Sequence, residues 1–333
     1  MREPRFWARD VDPRSREAAP LLRFLLTPLA WMYAEITRRK IASATPVRVA
    51  ATVICIGNLT AGGVGKSPVV AALRAHLVTK YRKRVATLSR GYGGRLQGPT
   101  KVDPKQHSAS DVGDEPLMLS QAGESWIGAD RVAAGRAMAE EGVEIILMDD
   151  GHQNPHLFKD FTLIVVDAAA GFGNGYVIPK GPLREPIALG LARADAIITM
   201  GDGIAVTDVT ESGRPIFQAA IMAKTAPADS PFVAFAGIGR PEKFFETLNQ
   251  IGVDVRDAVP FPDHHVYTKA DLNYLTQLAT DRSASLITTE KDWVRMAPDQ
   301  RDKITFLPIE VQFERMQDLD ALLLNVIKGA QDA

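Results

Sequence analysis

A single cysteine, Cys55, is all that the 333-residue chain carries. No internal disulfide can staple it, which suits a reducing compartment. Cys55 lies in the apolar run ATVICIG, where a small buried hydrophobe is expected rather than a reactive thiol. An excess of one charge is also missing: 39 Lys and Arg face 40 Asp and Glu, a formal net charge of −1. A nucleic-acid partner would show a basic excess, so none is expected. The sequence has no internal repeat and no low-complexity tract. The apolar run near the N-terminus, residues 21–36, falls short of the roughly 20 residues that cross a bilayer, and Arg23 and Pro28 interrupt it. No small-residue cleavage site follows, so a signal peptide is not expected.

What is present is ordinary globular composition, 46% hydrophobic and 24% charged, long enough for two domains. In residues 21–36, Leu21, Phe24, Leu25, Leu29, Met32, Tyr33 and Ile36 recur at helical spacing. Arg38, Arg39 and Lys40 follow them, and Trp31 and Tyr33 suit a headgroup boundary. This reads either as an amphipathic helix lying in a membrane interface or as one packed on the protein's own core.

Further along, apolar runs alternate with helical patterns. Strands are predicted at 53–57, 84–89, 144–149, 161–167 and 195–200, with helices at 68–80 and 130–141. Strands flanked by helices imply a mostly parallel sheet covered on both faces. A second α/β unit begins near Pro231: PFVAFAGIG reads as strand and glycine turn, RPEKFFETLNQIG as helix, ASLITTEKD as strand and loop. ITFLPIEVQFE is a strand pair or one long strand, and the last helix could pack on either unit. The expected division is an N-terminal helical region at 1–42, a nucleotide-binding α/β domain at 43–224 and a smaller α/β domain at 225–333, with a linker near 223–230.

Residues 57–77 read GNLTAGGVGKSPVVAALRAHL. Against G-x-x-x-x-G-K-[ST], the first glycine position holds Thr60. The rest is intact: Gly62, Gly63 and Gly65 leave backbone N–H groups free for an anion. Lys66 supplies a charge for terminal phosphates and Ser67 a hydroxyl for Mg²⁺. An apolar strand precedes the loop, and Pro68 opens a helix whose N-terminus adds partial positive charge. Thr60, Ala61, Gly62, Gly63, Val64, Gly65, Lys66 and Ser67 are therefore read as a nucleotide-binding loop. VEIILMDDGHQ, a buried strand ending in Asp149 and Asp150, is what such a protein uses to hold Mg²⁺. His152 and His156 do not read as a zinc pair, because Pro155 lies between them.

Three kinds of phosphate-loop protein compete. A partitioning-type ATPase would read KGGVGKS, but the lysine before the glycines is Ala61. A GTPase needs an N-K-x-D-like element, and TTEKDW has Lys291 and Asp292 adjacent. A kinase for a small or lipid acceptor fits the other chemistry-bearing stretches. These are SRGYGG with Arg90, DVGDEPLML with Asp114 and Glu115, PKGPLREP with Arg184 and Glu185, and FPDHHVYT with Asp263, His264 and His265.

Together, IGNLTAGGVGKSP, LSRGYGG, VGDEPLML, DDGHQN, PKGPLREP, FAGIGRPEKFF, FPDHHVYT and TTEKDWVR closely resemble the tetraacyldisaccharide 4'-kinase family, in that family's order, from about residue 20 to 296. The resemblance implies transfer of phosphate from ATP, with Mg²⁺, to the 4'-hydroxyl of a tetraacyl glucosamine disaccharide 1-phosphate in lipid A biosynthesis. It implies two α/β domains with the nucleotide in the cleft between them. It also implies an N-terminal helix on the cytoplasmic face of the inner membrane, which favours the interface reading of residues 21–36. Asp114 and His264 match the family's catalytic pair. Glu115, Asp149 and Asp150, with Ser67, match groups around Mg²⁺ and phosphates. Arg90, Asn154, Arg184 and Glu185 are candidates for the sugar phosphate, and Asp263, Glu290 and Lys291 are supporting candidates. A monomer is expected. The rival from another class is a nucleotide-dependent switch or binding protein with a protein partner.

Overall fold

The strands are β1 (Thr52–Gly57), β2 (Val85–Ser89), β3 (Thr100–Lys101), β4 (Ser125–Ile127), β5 (Ile145–Asp149), β6 (Phe161–Asp167), β7 (Ala196–Met200), β8 (Ile216–Ala223), β9 (Phe232–Ala236), β10 (Val255–Pro260), β11 (Ser285–Thr289), β12 (Ile304–Leu307) and β13 (Ile309–Phe313). They come from a computed structural model that describes residues 4–12, 14–203, 206–225, 227 and 230–329. Nine strands form one sheet in the order β13-β8-β7-β6-β1-β5-β2-β4-β3, and four form a second, β10-β9-β11-β12. The large sheet is parallel except at its edges, where β13 and β3 run antiparallel to their neighbours. The small sheet is wholly parallel. This is the α/β architecture expected from strands alternating with helices.

The central strands of both sheets are covered on both faces, which is why they read as continuous apolar runs. All six residues of β1 are buried. Ile54 and Ile56 join Leu73 and Leu77 of the helix Lys66–Tyr81 on one face, while Val53 and Cys55 pack on the other. Burial pushes the Cys55 thiol up to about 12, so it is an inert core group. In β9, Val233 and Phe235 enter one apolar cluster and Phe232, Ala234 and Ala236 the opposite one, as the period of two requires. β1 lies between β5 and β6, so connections diverge from its C-terminal end. A crevice at such a switch point is where ligands bind.

ITFLPIEVQFE is two strands in two different sheets. Pro308 cannot donate to a ladder; its carbonyl accepts the Lys224 amide at 2.9 Å, and the chain passes from β12 to β13 there. β13 pairs with β8, and the helix Met316–Gly329 lays Leu319, Leu323 and Ile327 on the large sheet's core. Residues 309–329 thus lie with the large unit, not with the unit expected to run from 225 to 333. We divide the chain accordingly, with the small unit at about 230–307. The expected linker near 223–230 falls partly outside the described residues, as do 1–3, 13 and 330–333 of the expected end regions.

The N-terminal apolar stretch forms two helices, Pro20–Leu25 and Thr27–Ala42, broken at Leu26 before Thr27 and Pro28. Only Ala30 of the two is buried. Leu21, Phe24 and Trp31 are 71%, 73% and 70% exposed, which removes the reading as a helix packed on the protein's own core. No helix among the described residues is long and apolar enough to cross a membrane.

Candidate active site

The phosphate loop leaves β1 where no side chain fits. A Cβ on Gly57 would stand 2.5 Å from the Cβ of His152. At the far end Gly65 caps the helix Lys66–Tyr81 with φ +88°, a conformation L side chains rarely adopt. Among the described residues, the amides of Gly62, Gly63, Val64 and Gly65 make no hydrogen bond. They and the start of the 16-residue helix form an anion cradle. Lys66 Nζ lies 3.5 Å from Asp150 Oδ1.

β5 delivers the two aspartates of VEIILMDD to this cradle. Ser67 Oγ donates to Asp149 Oδ2 at 3.1 Å, and the buried Oδ1 of Asp149 has no partner among the described residues. Burial, and then the nearby Glu115 carboxylate, push Asp149 up to about 7. A buried carboxylate with one unmatched oxygen beside a hydroxyl fits a divalent cation, which would supply the missing countercharge. No three His, Cys, Asp or Glu side chains converge as a metal cage among the described residues. Mg²⁺ takes few protein ligands and completes its shell with phosphate oxygens and water. Asp150 is engaged differently. Its backbone sits at φ +55°, and Arg184 Nη1 donates to both its oxygens at 2.8 and 2.9 Å. Burial opposes its charge, but Lys66 and Arg184 hold its pKa below the usual carboxylate range.

Across the cleft stands the small unit. His264, at φ +57°, brings Nδ1 to 3.0 Å from Asp114 Oδ2. Asp114 starts the helix Asp114–Gln121 of the large unit. The loop conformation at His264 is one that ordinary side chains avoid, and such strain concentrates at functional sites. Arg295 donates to the same Asp114 oxygen from Nε (2.9 Å) and Nη2 (2.5 Å). Lys291 donates to Glu115 Oε1 at 2.9 Å. Burial works against ionisation of Asp114, but the His264 hydrogen bond and the Lys291 and Arg295 charges hold it well below the usual carboxylate range. The walls enclose a cleft of about 1610 Å³. It is lined by the loop from Gly62 to Ser67, by Asp149, Asp150, His264 and Lys291, and at one end by Tyr33 and Lys40 of the N-terminal helix.

With that geometry in view, comparison with known proteins is decisive. The profile of the family described as tetraacyldisaccharide-1-P 4'-kinase matches residues 22–328. The tetraacyldisaccharide 4'-kinase of Hyphomonas neptunium is 56% identical over 330 residues, 99% of each chain. That of Maricaulis maris is 47% identical over 340 residues, 100% of this chain and 98% of its own. This chain belongs to the tetraacyldisaccharide 4'-kinase family. A solved structure of LpxK from Aquifex aeolicus in complex with ATP aligns with a TM-score of 0.73 at 25% identity, covering 92% of this kinase and 99% of that chain.

The remaining candidates divide. Arg90 lines the cleft, exposed at the end of β2 and without an ion pair among the described residues. Arg184 also lines it, held by Asp150. Glu185 faces inward: it is buried, pairs with Arg193 at 2.7 Å and accepts from Gln153 at 3.0 Å. Asn154 Oδ1 accepts the amides of His156 and Leu157, bracing its own turn. Asp263 Oδ1 accepts the His264 amide at 3.0 Å. Glu290 is a cleft-lining carboxylate whose pKa burial raises. Thr60 and Ala61 anchor the cradle rather than face it: Thr60 is buried, and the Ala61 amide donates to the Pro182 carbonyl. The sequence reading missed two groups, Arg295 and Asp292. Asp292 is fully buried and accepts from the Gly237 amide, the Tyr267 hydroxyl and Arg295. The available signal was spacing: in TTEKDWVR, Lys291 and Arg295 are four apart and share a helix face.

Proposed function

We propose that the kinase transfers the γ-phosphate of ATP to the 4'-hydroxyl of a tetraacyl disaccharide 1-phosphate across this cleft, with each wall supplying one part of the chemistry. The observation that carries the proposal is the 3.0 Å approach of His264, which lines the cleft from the small unit, to the buried Asp114 of the large one. Phosphoryl transfer needs positioning and charge neutralisation more than covalent participation by the protein. The loop amides and Lys66 hold the β- and γ-phosphates. Ser67 and Asp149 would hold Mg²⁺, which neutralises charge between the phosphates when bound.

Asp114 accepts the proton of the attacking 4'-hydroxyl. Its depressed pKa keeps it ionised at neutral pH and suits a transition state in which that proton leaves late. His264 and Arg295 hold its orientation; base catalysis of this kind contributes roughly 10²–10⁴-fold. Because Asp114 and His264 belong to different units, closure of the cleft assembles the pair and limits hydrolysis of ATP by water. Both halves of the site come from one chain, which supports a monomer as the working unit.

The exposed apolar side chains of residues 21–36 support a seat in the inner membrane's cytoplasmic face. Arg38 and Lys40 lie at headgroup depth, and Tyr33 opens onto the cleft. A helix lying in the interface needs such a face and no span. The rival reading, a nucleotide switch with a protein partner, would use residues 21–36 as a docking helix but leaves the Asp114–His264 pair without a role. ATP consumption with and without detergent-dispersed tetraacyldisaccharide 1-phosphate tests the proposal. Turnover that depends on the lipid is expected, and hydrolysis indifferent to it would overturn the proposal.

A further inference from the structure

A second set of ion pairs crosses the cleft, and nothing above gives it a role. Asp167 ends β6, the neighbour of β1. Gly57 of β1 pairs with Ile164, so Asp167 stands three residues further on, roughly 10 Å, toward the phosphate loop. Its Oδ1 is fixed by the amides of Ala169 (3.1 Å) and Ala170 (3.0 Å). Its Oδ2 accepts from both Arg240 Nη1 (3.1 Å) and Lys243 Nζ (2.5 Å) of the small unit. The Asp167 side chain is 3% exposed, whereas those of Arg240 and Lys243 keep 33% and 50%, and all three line the cleft. Gly239, just before Arg240, leans on the loop itself: a Cβ there would lie 3.6 Å from the amide nitrogen of Gly63.

Two cations on one carboxylate oxygen repel each other and leave one positive charge unmatched. That surplus sits beside loop amides that have no partner among the described residues. A ligand with several anionic oxygens satisfies both cations better than one shared oxygen does. The triphosphate end of the nucleotide is such a ligand.

We propose that Arg240 and Lys243 contact the terminal phosphate of bound ATP from the small unit, and that Asp167 holds the two cations in place until that phosphate arrives. The inference rests on the kinase reading of the cleft. The pair exchanges no proton and makes no bond; it neutralises charge. It also makes closure respond to a nucleotide that still carries its third phosphate.

The test is equilibrium binding of Mg²⁺ with the β,γ-imido analogue of ATP, and separately with ADP, to the full chain without lipid. Arg240→Ala and Lys243→Ala are expected to weaken the analogue about tenfold or more and ADP by much less, with Arg240→Lys recovering part of the loss. Asp167→Asn keeps an acceptor for the Ala169 and Ala170 amides while removing the competing charge, so it is expected to tighten the analogue several-fold. Equal losses for both nucleotides, or an Asp167→Asn variant that weakens the analogue, would overturn the inference. Failure of the wild type to bind either nucleotide would overturn it together with the kinase reading. Wild type that binds the analogue yet shows no lipid-dependent turnover would sink the kinase reading alone, and the variants would still decide the role of the pair.

Discussion

The wall of the cleft that carries residues 62–65 presents backbone, while the wall facing it presents side chains. On the first, amides unpaired among the described residues and a helix N-terminus present partial positive charge, and Gly62 and Gly65 hold positive φ angles that L side chains rarely adopt. On the second, Arg295, Lys291, Arg240 and Lys243 reach across to Asp114, Glu115 and Asp167. A backbone cradle is local, set by a few consecutive residues. A cross-cleft network exists only when chain segments some 75 to 180 residues apart are brought together. The first wall is therefore set locally, while the second would, on the proposed reading, open and close by exchanging ion pairs for ligand contacts.

The comparison breaks most sharply at Asp114, which three side chains of the small unit approach. Asp114→Asn is expected to lower kcat by roughly 10²–10⁴-fold with ATP affinity nearly unchanged, read by steady-state kinetics and nucleotide titration. Lys66→Ala attacks the backbone wall and is expected to cost about 10²–10³-fold in kcat/KM for ATP, with the fold intact by circular dichroism. Arg295→Ala leaves Asp114 with the His264 hydrogen bond and the more distant Lys291 ammonium at 3.9 Å. A loss of about ten- to a hundredfold in kcat, smaller than that of Asp114→Asn, would mark Arg295 as orienting rather than reacting.

Acid sharpens the same contrast. Asp114 has a folded pKa held below its unfolded value, so its stabilising contribution is full above about pH 4 and disappears as pH falls below that. Melting temperatures at pH 3 and pH 7 should therefore differ more for the wild type than for Asp114→Asn. The smallest effect on the folded chain itself concerns residues 21–36. Phe24→Asp with Trp31→Asp should leave the melting temperature within a degree or two, since neither is buried, and release the protein from anionic liposomes in co-sedimentation.

The backbone wall was the legible one. The predicted strand at 161–167 coincides with β6, and the helix predicted at 68–80 runs Lys66–Tyr81, because buried parallel strands and an N-terminal proline leave local signals. β3 and β4, of two and three residues, are shorter than any periodicity can register. The loop expected in TTEKD begins the helix Glu290–Arg295. Its cap was visible in outline: Thr289 accepts the Asp292 amide and donates to the Asp292 carboxylate, the reciprocal pairing of a Thr with an acid three residues on. Glu185 and Asn154 show the opposite limit. Both sit in motifs rich in chemistry, yet Glu185 is buried against Arg193 and Gln153, and Asn154 Oδ1 accepts amides of its own turn. The partner of Asp114 could be found by family resemblance, whereas Arg295 and the Asp167 pairings depend on the folded geometry. The helix Met316–Gly329 buries Leu319, Leu323 and Ile327, whereas the two N-terminal helices bury only Ala30. What differs is the surface each meets.

The central claim is that Asp114 and His264 work as one unit across the cleft. The most direct measurement is a double-mutant cycle on phosphate transfer from radiolabelled ATP to tetraacyldisaccharide 1-phosphate, using Asp114→Asn, His264→Ala and both together. Residues that act as a unit lose their joint effect once either is gone. The account predicts that the double variant is about as slow as Asp114→Asn alone. Losses that simply multiply would show two independent contributions and contradict it.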